Sequence, residues 1–288
     1  MSVQQPVVAG SFYPARADVL ERRVVELLAA APEIEAPQPK GLILPHAGYR
    51  FSGAVAASAV RALRPGVERV VILGPSHRHA FRGVAVPDAE AFATPLGEMP
   101  VDRDAVARVL EHRDVAVVPE AFAQEHSIEV ELPFLQQTLG AVLIVPLVVG
   151  DIRQSRLNEI VEAVWGGDET LIVISTDLTH FMTAGQAANV DGVTARKIEL
   201  LESAGLTGRE ACGHRPLAAF LECARKRGLR LTRTALTHSG AVTGDDSRVV
   251  GYGAWTAHEQ EAARLNRAHR HQALRVARQA LLGRALKG

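Results

Sequence analysis

Short runs of Val, Ile and Leu without period-two alternation recur along this chain, and helical patterns lie between them. Such a run has no polar face to turn toward water, so it reads as a strand covered on both sides. The runs fall at 41–45, 68–73, 83–86, 142–149, 171–175, 229–236 and 248–255. Helical spacing falls at 17–31, 53–64, 102–112, 127–139, 153–165, 185–204 and 214–227; in the first, Leu20, Val24, Leu27 and Leu28 repeat on one stripe. Alternation of this kind predicts an α/β fold, a three-layer α/β/α sandwich around a mostly parallel or mixed sheet. One domain over 1–257 is expected. From Ala262 onward there is no acidic residue, and Leu274, Ala277, Leu281 and Ala285 share a helical stripe, so 258–288 reads as a basic helical tail.

Composition narrows the function classes. A hydrophobic content of 47% in 288 residues is enough for a sizeable core. Lys+Arg 32 balances Asp+Glu 32, so no global field favours nucleic acid or a membrane surface, and neither is expected as a partner. The two cysteines, Cys212 and Cys223, suit neither a disulfide framework nor a CxxC site. The start of the chain lacks a basic segment followed by an apolar one, and the longest apolar run, 141–149, is broken by Pro146. A cytoplasmic protein is expected.

Three of the strand runs end in the same way. "GLILPHAGY" places His46 after the first. "LGPSHRHA" places His77 and His79 after the second. "LIVISTDLTHF" places His180 after the fifth, with Asp177 three residues before it. Ligands in open α/β sheets bind beyond the carboxyl ends of the strands. Imidazole is the commonest transition-metal ligand and titrates near neutrality. Each histidine alone reads as a satisfied polar residue at a strand end; the repeated context points to convergence. Asp177 reads either as a carboxylate orienting an imidazole or as a ligand itself.

"AQEHSIEVELPFLQ" reads as a helix opening near Ser127. Glu125, His126 and Glu129 there either face the same pocket or cap the helix, with Glu129 satisfying early amides. Tyr49 and His238 are further pocket candidates. His214 and Arg215 in "CGHRP" read as an anion site at a helix start or as a cap. Cys212 has no catalytic signature beside it, and no nucleotide-binding, GxSxG or HExxH pattern occurs.

Taken together, "AGSFYP", "PHAGYRFSG", "ILGPSHRH", "EHSIEVELPFLQ", "STDLTHF" and "SRVVGYGAW" resemble the Memo family, which includes protein B of the AmmeMemoRadiSam system. The resemblance runs from about residue 9 to 255. It implies a fold like that of class III extradiol dioxygenases of the LigB type. It also implies metal ligands at His46, His77 and His180, and an acid–base role for His180 with Asp177. The implied cofactor is a divalent or redox metal ion, iron or copper ahead of zinc, or none. Where animal members carry a cysteine in the loop before the last strand, this chain has Val242. Where bacterial relatives carry an acidic residue it has Ala241. The resemblance therefore leaves the third protein ligand without a residue, with His238 or His180 as substitutes.

Three functions follow as expectations. One is a non-haem iron or copper redox enzyme using these histidines. Another is a non-catalytic binding or adaptor protein whose cleft takes a small molecule, a peptide or an AmmeMemoRadiSam partner. The last is a zinc hydrolase or lyase, against which the missing third ligand counts.

Overall fold

The computed structural model describes residues 2–260. The chain order is β1 (Val3–Gln4), α1 (Ala17–Ala30), β2 (Gly41–Leu44), α2 (Tyr49–Val60), β3 (Arg69–Pro75), β4 (Val84–Val86), β5 (Ala91–Thr94), β6 (Gly97–Pro100), α3 (Arg103–Val109) and β7 (Val115–Val117). It continues with α4 (Leu132–Leu139), β8 (Leu143–Val149), α5 (Gln154–Ala163), β9 (Thr170–Ser175), β10 (His180–Met182), α6 (Ala184–Glu199), α7 (His214–Lys226), β11 (Leu229–His238), α8 (Gly240–Thr243) and β12 (Val249–Glu259).

Among the described residues, nine strands form one mixed sheet in the order β10-β12-β2-β9-β3-β8-β4-β7, with β11 also paired to β12. Its centre, β2-β9-β3-β8, is parallel. Every residue of β2 and β9 is buried, and so is all of β3 except Arg69, as expected for strands covered on both faces. The α1, α2 and α4 helices pack together as one layer, while α5 pairs with α7, which lies against β3 and β9. The α/β sandwich expected from the sequence is the one observed. No helix among the described residues is long and apolar enough to cross a membrane.

Some boundaries shift for local reasons. The helix expected over 53–64 starts at Tyr49, because Gly48 serves as its N-cap, and beyond Val60 it tightens into three-residue turns. The helix expected over 127–139 is divided. A 3₁₀ turn at Glu129–Glu131 precedes α4, whose Pro133 sits in the first turn, where its missing N–H costs nothing. The helix expected over 185–204 stops at Glu199, because Leu201 takes a positive φ of 59°. A three-stranded sheet, β1-β5-β6, was not expected; its strands are too short to carry a period. At the other end, β12 runs on to Glu259, and the helical tail read from 258 lies outside the described residues beyond 260.

Parallel pairing puts the carboxyl ends of β2, β3 and β9 on one edge. The opposite end is held by Lys40, just before β2. Its ammonium donates to the carbonyls of Trp165, Gly167 and Thr170 at 2.6, 2.7 and 2.7 Å, fixing the turn that feeds β9. Replacing it with Met leaves those acceptors without their donor. Lys40→Met is expected to cost about 3 kcal/mol in urea-unfolding stability with little change in m value.

Candidate metal centre

His46 follows β2 and is almost fully buried, at 1% exposure. Its backbone N–H donates to Asp177 Oδ1 at 2.9 Å. Its Nδ1 lies 2.7 Å from Ser175 Oγ at the end of β9, and that hydroxyl gives its proton to the Ser127 carbonyl at 2.5 Å. A hydroxyl has one proton, so Ser175 accepts from Nδ1–H of His46. The lone pair of His46 is thereby left on Nε2.

His77, beyond β3, is set in the same way by a carboxylate. Glu125 accepts from the His77 backbone N–H at 2.5 Å and faces its Nδ1 at 2.9 Å. It also accepts from the N–H groups of His126 and Ser127, both at 2.9 Å. Burial pushes the Glu125 carboxyl up, but these bonds, those to His77 first, outweigh it and hold the pKa at about 2. An ionised Glu125 requires Nδ1–H on His77, so this imidazole too presents Nε2.

The third imidazole is His126. Its ring stacks on that of His77 with centroids 4.8 Å apart and stands edge-on to His46 at 5.4 Å. One nitrogen from each of His46, His77 and His126 lies within 4.8 Å of the other two. A tetrahedral ion with bonds near 2.1 Å needs roughly 3.4 Å between donors, so binding would draw the three nitrogens closer together. Burial lowers the pKa of His46 far below its ordinary value, and mutual repulsion with His77, His126 and His180 adds to this. Burial likewise takes His126 down to about 4. Neutral rings with aimed lone pairs are what a metal ion requires.

The other expected site residues are distributed around this group. His180 stands outside the three; its Nδ1–H donates to the Leu178 carbonyl at 2.9 Å, leaving Nε2 as an acceptor. Beside it, Phe181 takes a positive φ of 61° and turns its ring to solvent under the Arg248 guanidinium. Asp177 orients the His46 backbone. The Tyr49 hydroxyl donates to the Val130 carbonyl at 2.8 Å and so anchors the His126 turn from below. His79 stacks on Phe81 and lines a neighbouring cleft. His238 sits on β11 opposite Gly251, outside the three-imidazole group. Val242 lies in α8 and is exposed; the third imidazole grouped with His46 and His77 is that of His126.

Glu129 neither faces this group nor caps a helix. It accepts from Val7 N–H at 2.7 Å, Val8 N–H at 3.0 Å and the Tyr13 hydroxyl, clamping the N-terminal segment so that Phe12 meets the His126 ring edge-on at 5.0 Å. Ser175 and Glu131 have no signal in the sequence, and Ser127 is read there only as a helix start. Glu131 is fully buried, and burial raises its pKa well above its ordinary value. Cys212 lies with Sγ 3.3 Å from His46 Nε2, and burial, with the Asp177 charge, pushes its thiol up to about 12.

Burial raises the Asp177 pKa from 3.8 to about 7 against the bonds that favour its charge. Its stabilising contribution is therefore complete below pH 3.8 and is lost as pH rises through about 7. In metal-free protein, Asp177→Asn should match wild type near pH 4 and gain over it progressively up to pH 8, by at most about 4 kcal/mol. Thermal unfolding across that pH range checks the sign.

A family model described as "Memo-like protein" matches residues 4–256. A MEMO1 family protein of Methanosarcina mazei is 34% identical over 268 residues, covering 88% of this chain and 98% of that protein. Another from Aquifex aeolicus is 31% identical, with the same two coverages. In shape, the chain is similar to an uncharacterised Escherichia coli K12 protein of known crystal structure. The TM-score is 0.50 at 13% identity, over 76% of this chain and 99% of that one, a likeness of fold alone.

Proposed function

The chain belongs to the Memo family, and on that premise we propose that it binds one transition-metal ion through His46, His77 and His126 and acts as a metal-dependent redox protein. The observation that supports this reading most is the set of three imidazoles whose nitrogens converge, two of them with Nδ1 held by named partners so that Nε2 is the nitrogen left over. No carboxylate belongs to the group, because Glu125 and Asp177 are occupied by N–H donors. An all-nitrogen set favours copper over zinc and iron(II) in affinity. A bound copper or iron ion would supply Lewis acidity and one-electron chemistry at its open position.

The chain's own groups have definable parts in this. Glu125 and Ser175 keep two ligand rings in one tautomer, and such orienting partners raise metal affinity. Cys212 closes the side of the group next to His46 with a protonated thiol. His180, neutral and with Nε2 unbonded to its own backbone, is the group placed to accept a proton from a bound molecule. A zinc-dependent hydrolytic reading gains from the same geometry, since three protein ligands and an open position are the usual catalytic zinc set.

Metal content by mass spectrometry on anaerobically purified protein tests the proposal. About one copper or iron per chain, lost in His46→Ala/His77→Ala and in His126→Ala, supports it. About one zinc lost in the same way moves the assignment to hydrolysis. No metal after reconstitution overturns it and leaves the cleft as a binding surface for a metabolite, a peptide or an AmmeMemoRadiSam partner.

The ligand roles give a graded expectation. His126→Ala should abolish stoichiometric binding, whereas Glu125→Gln should weaken it by roughly 10–100-fold, because an amide cannot accept all of the carboxylate's bonds. His180→Ala should leave metal content unchanged. Competition against a chelating dye of known affinity measures all three.

A further inference from the structure

Cys212 has a second neighbour besides His46. It forms part of the wall of a cleft of about 240 Å³ that lies beside the three-imidazole group. Pro75, Phe81 and Pro216 give this cleft apolar walls, and His79 stacks on Phe81 to form a flat aromatic surface. Its polar side is made by Ser76, Asp151, His214 and Arg215. Arg215 is held in place by Asp151 at 2.8 Å and by the Gly150 carbonyl at 3.3 Å. Two of its five N–H groups are used in this way, so the planar fork keeps donors for a ligand.

Asp151 also borders a second depression, of about 580 Å³, where Arg82, Arg113, Arg153 and Arg156 gather around Asp114. Across the two cavities, five arginines face two aspartates. The chain as a whole is neutral, so this face is a local positive field rather than part of a general one. Arg156 is partly satisfied by Glu159 at 2.7 Å; Arg82 and Arg153 are exposed. Such a field raises the local concentration of anions and speeds their arrival.

We infer that the cleft is a subsite for a small organic acid, a carboxylate or phosphate monoester on a compact apolar body. Its acidic group is received by Arg215. Its body lies along Phe81 and the two prolines, and its far end reaches Cys212 next to His46. The arginine-lined depression is the approach. This names a substrate class for the metal centre and rests on that reading for what happens at the far end, but binding of the acid does not depend on the metal.

The test uses the full chain, both metal-free and zinc-loaded, with 4-fluorobenzoate, 4-fluorophenyl phosphate and neutral 4-fluorobenzamide followed by fluorine NMR. The expected result is saturable binding of at least one anion, with the amide at least about tenfold weaker. The carboxylate and phosphate arms show which acid is preferred. Arg215→Gln should weaken the anion at least about tenfold while leaving metal content as in wild type. His79→Asn, also in the cleft lining and outside any helix, should weaken it less and serves if Arg215→Gln is unstable. The His46→Ala/His77→Ala protein should lose metal yet keep anion binding in its metal-free form, which separates failure of the metal centre from failure of the subsite. Equal affinity for anion and amide, anion binding unaffected by either cleft substitution, or no anion binding below about 10 mM would overturn the inference.

Discussion

The carboxylate of Glu125 is the interaction on which the rest of the centre depends. It is buried, ionised and bonded to the backbone of His77, the ring of His77 and the next two amides of its own turn. Bonds to a charged acceptor are worth about 1.5–3 kcal/mol each, and together they offset the cost of burying the charge. The loop after β3 and the turn before α4 are thereby one unit, though 48 residues separate their two bonded ends. Gly74 makes the close approach between them feasible: a Cβ there would meet Ser127 Oγ at 2.5 Å.

A second set of bonds fastens that unit to the sheet. Ser127 donates to the Pro75 carbonyl and Ser175 donates to the Ser127 carbonyl, so β3, the His126 turn and β9 share a chain of hydroxyls ending on His46. Tyr49 and Glu129 brace the turn from α2 and from the N-terminal segment. The arrangement fixes proton positions as well as atoms. Each hydroxyl or carboxylate has a determined role, and the tautomers of His46 and His77 follow from it. Preorganised lone pairs lower the reorganisation that metal binding would otherwise require.

The same low-dielectric setting separates groups by charge. It disfavours the charged forms of His46 and His126, keeps the Cys212 thiol protonated and brings Asp177 to about 7, while Glu125 is held near 2 by its donors. Beyond Cys212 the character changes to exposed arginines. A group of nitrogen donors next to a cleft that carries Arg215 is an arrangement in which an anion can be recognised at a distance from the ligands.

The sequence by itself determined the layers and the edge of the sheet at which the histidines gather. Unalternated runs such as Val70–Leu73 must be covered on both faces, and His46 and His77 follow such runs directly. The motif around Glu125 and Glu129 was visible, but its meaning was open between pocket and cap. Only the tertiary structure decided it, because hydrogen-bond partners such as Val7 and Tyr13 lie more than 100 residues away in the chain. The third imidazole was decided there too. His126 sits in an irregular turn with no periodicity to give its direction, and its aim comes from Glu125, Tyr49 and the stacked ring of His77. Cys212 and Arg215 had the weakest local signal of all; they acquire meaning from what folding places beside them, which no spacing in the chain encodes.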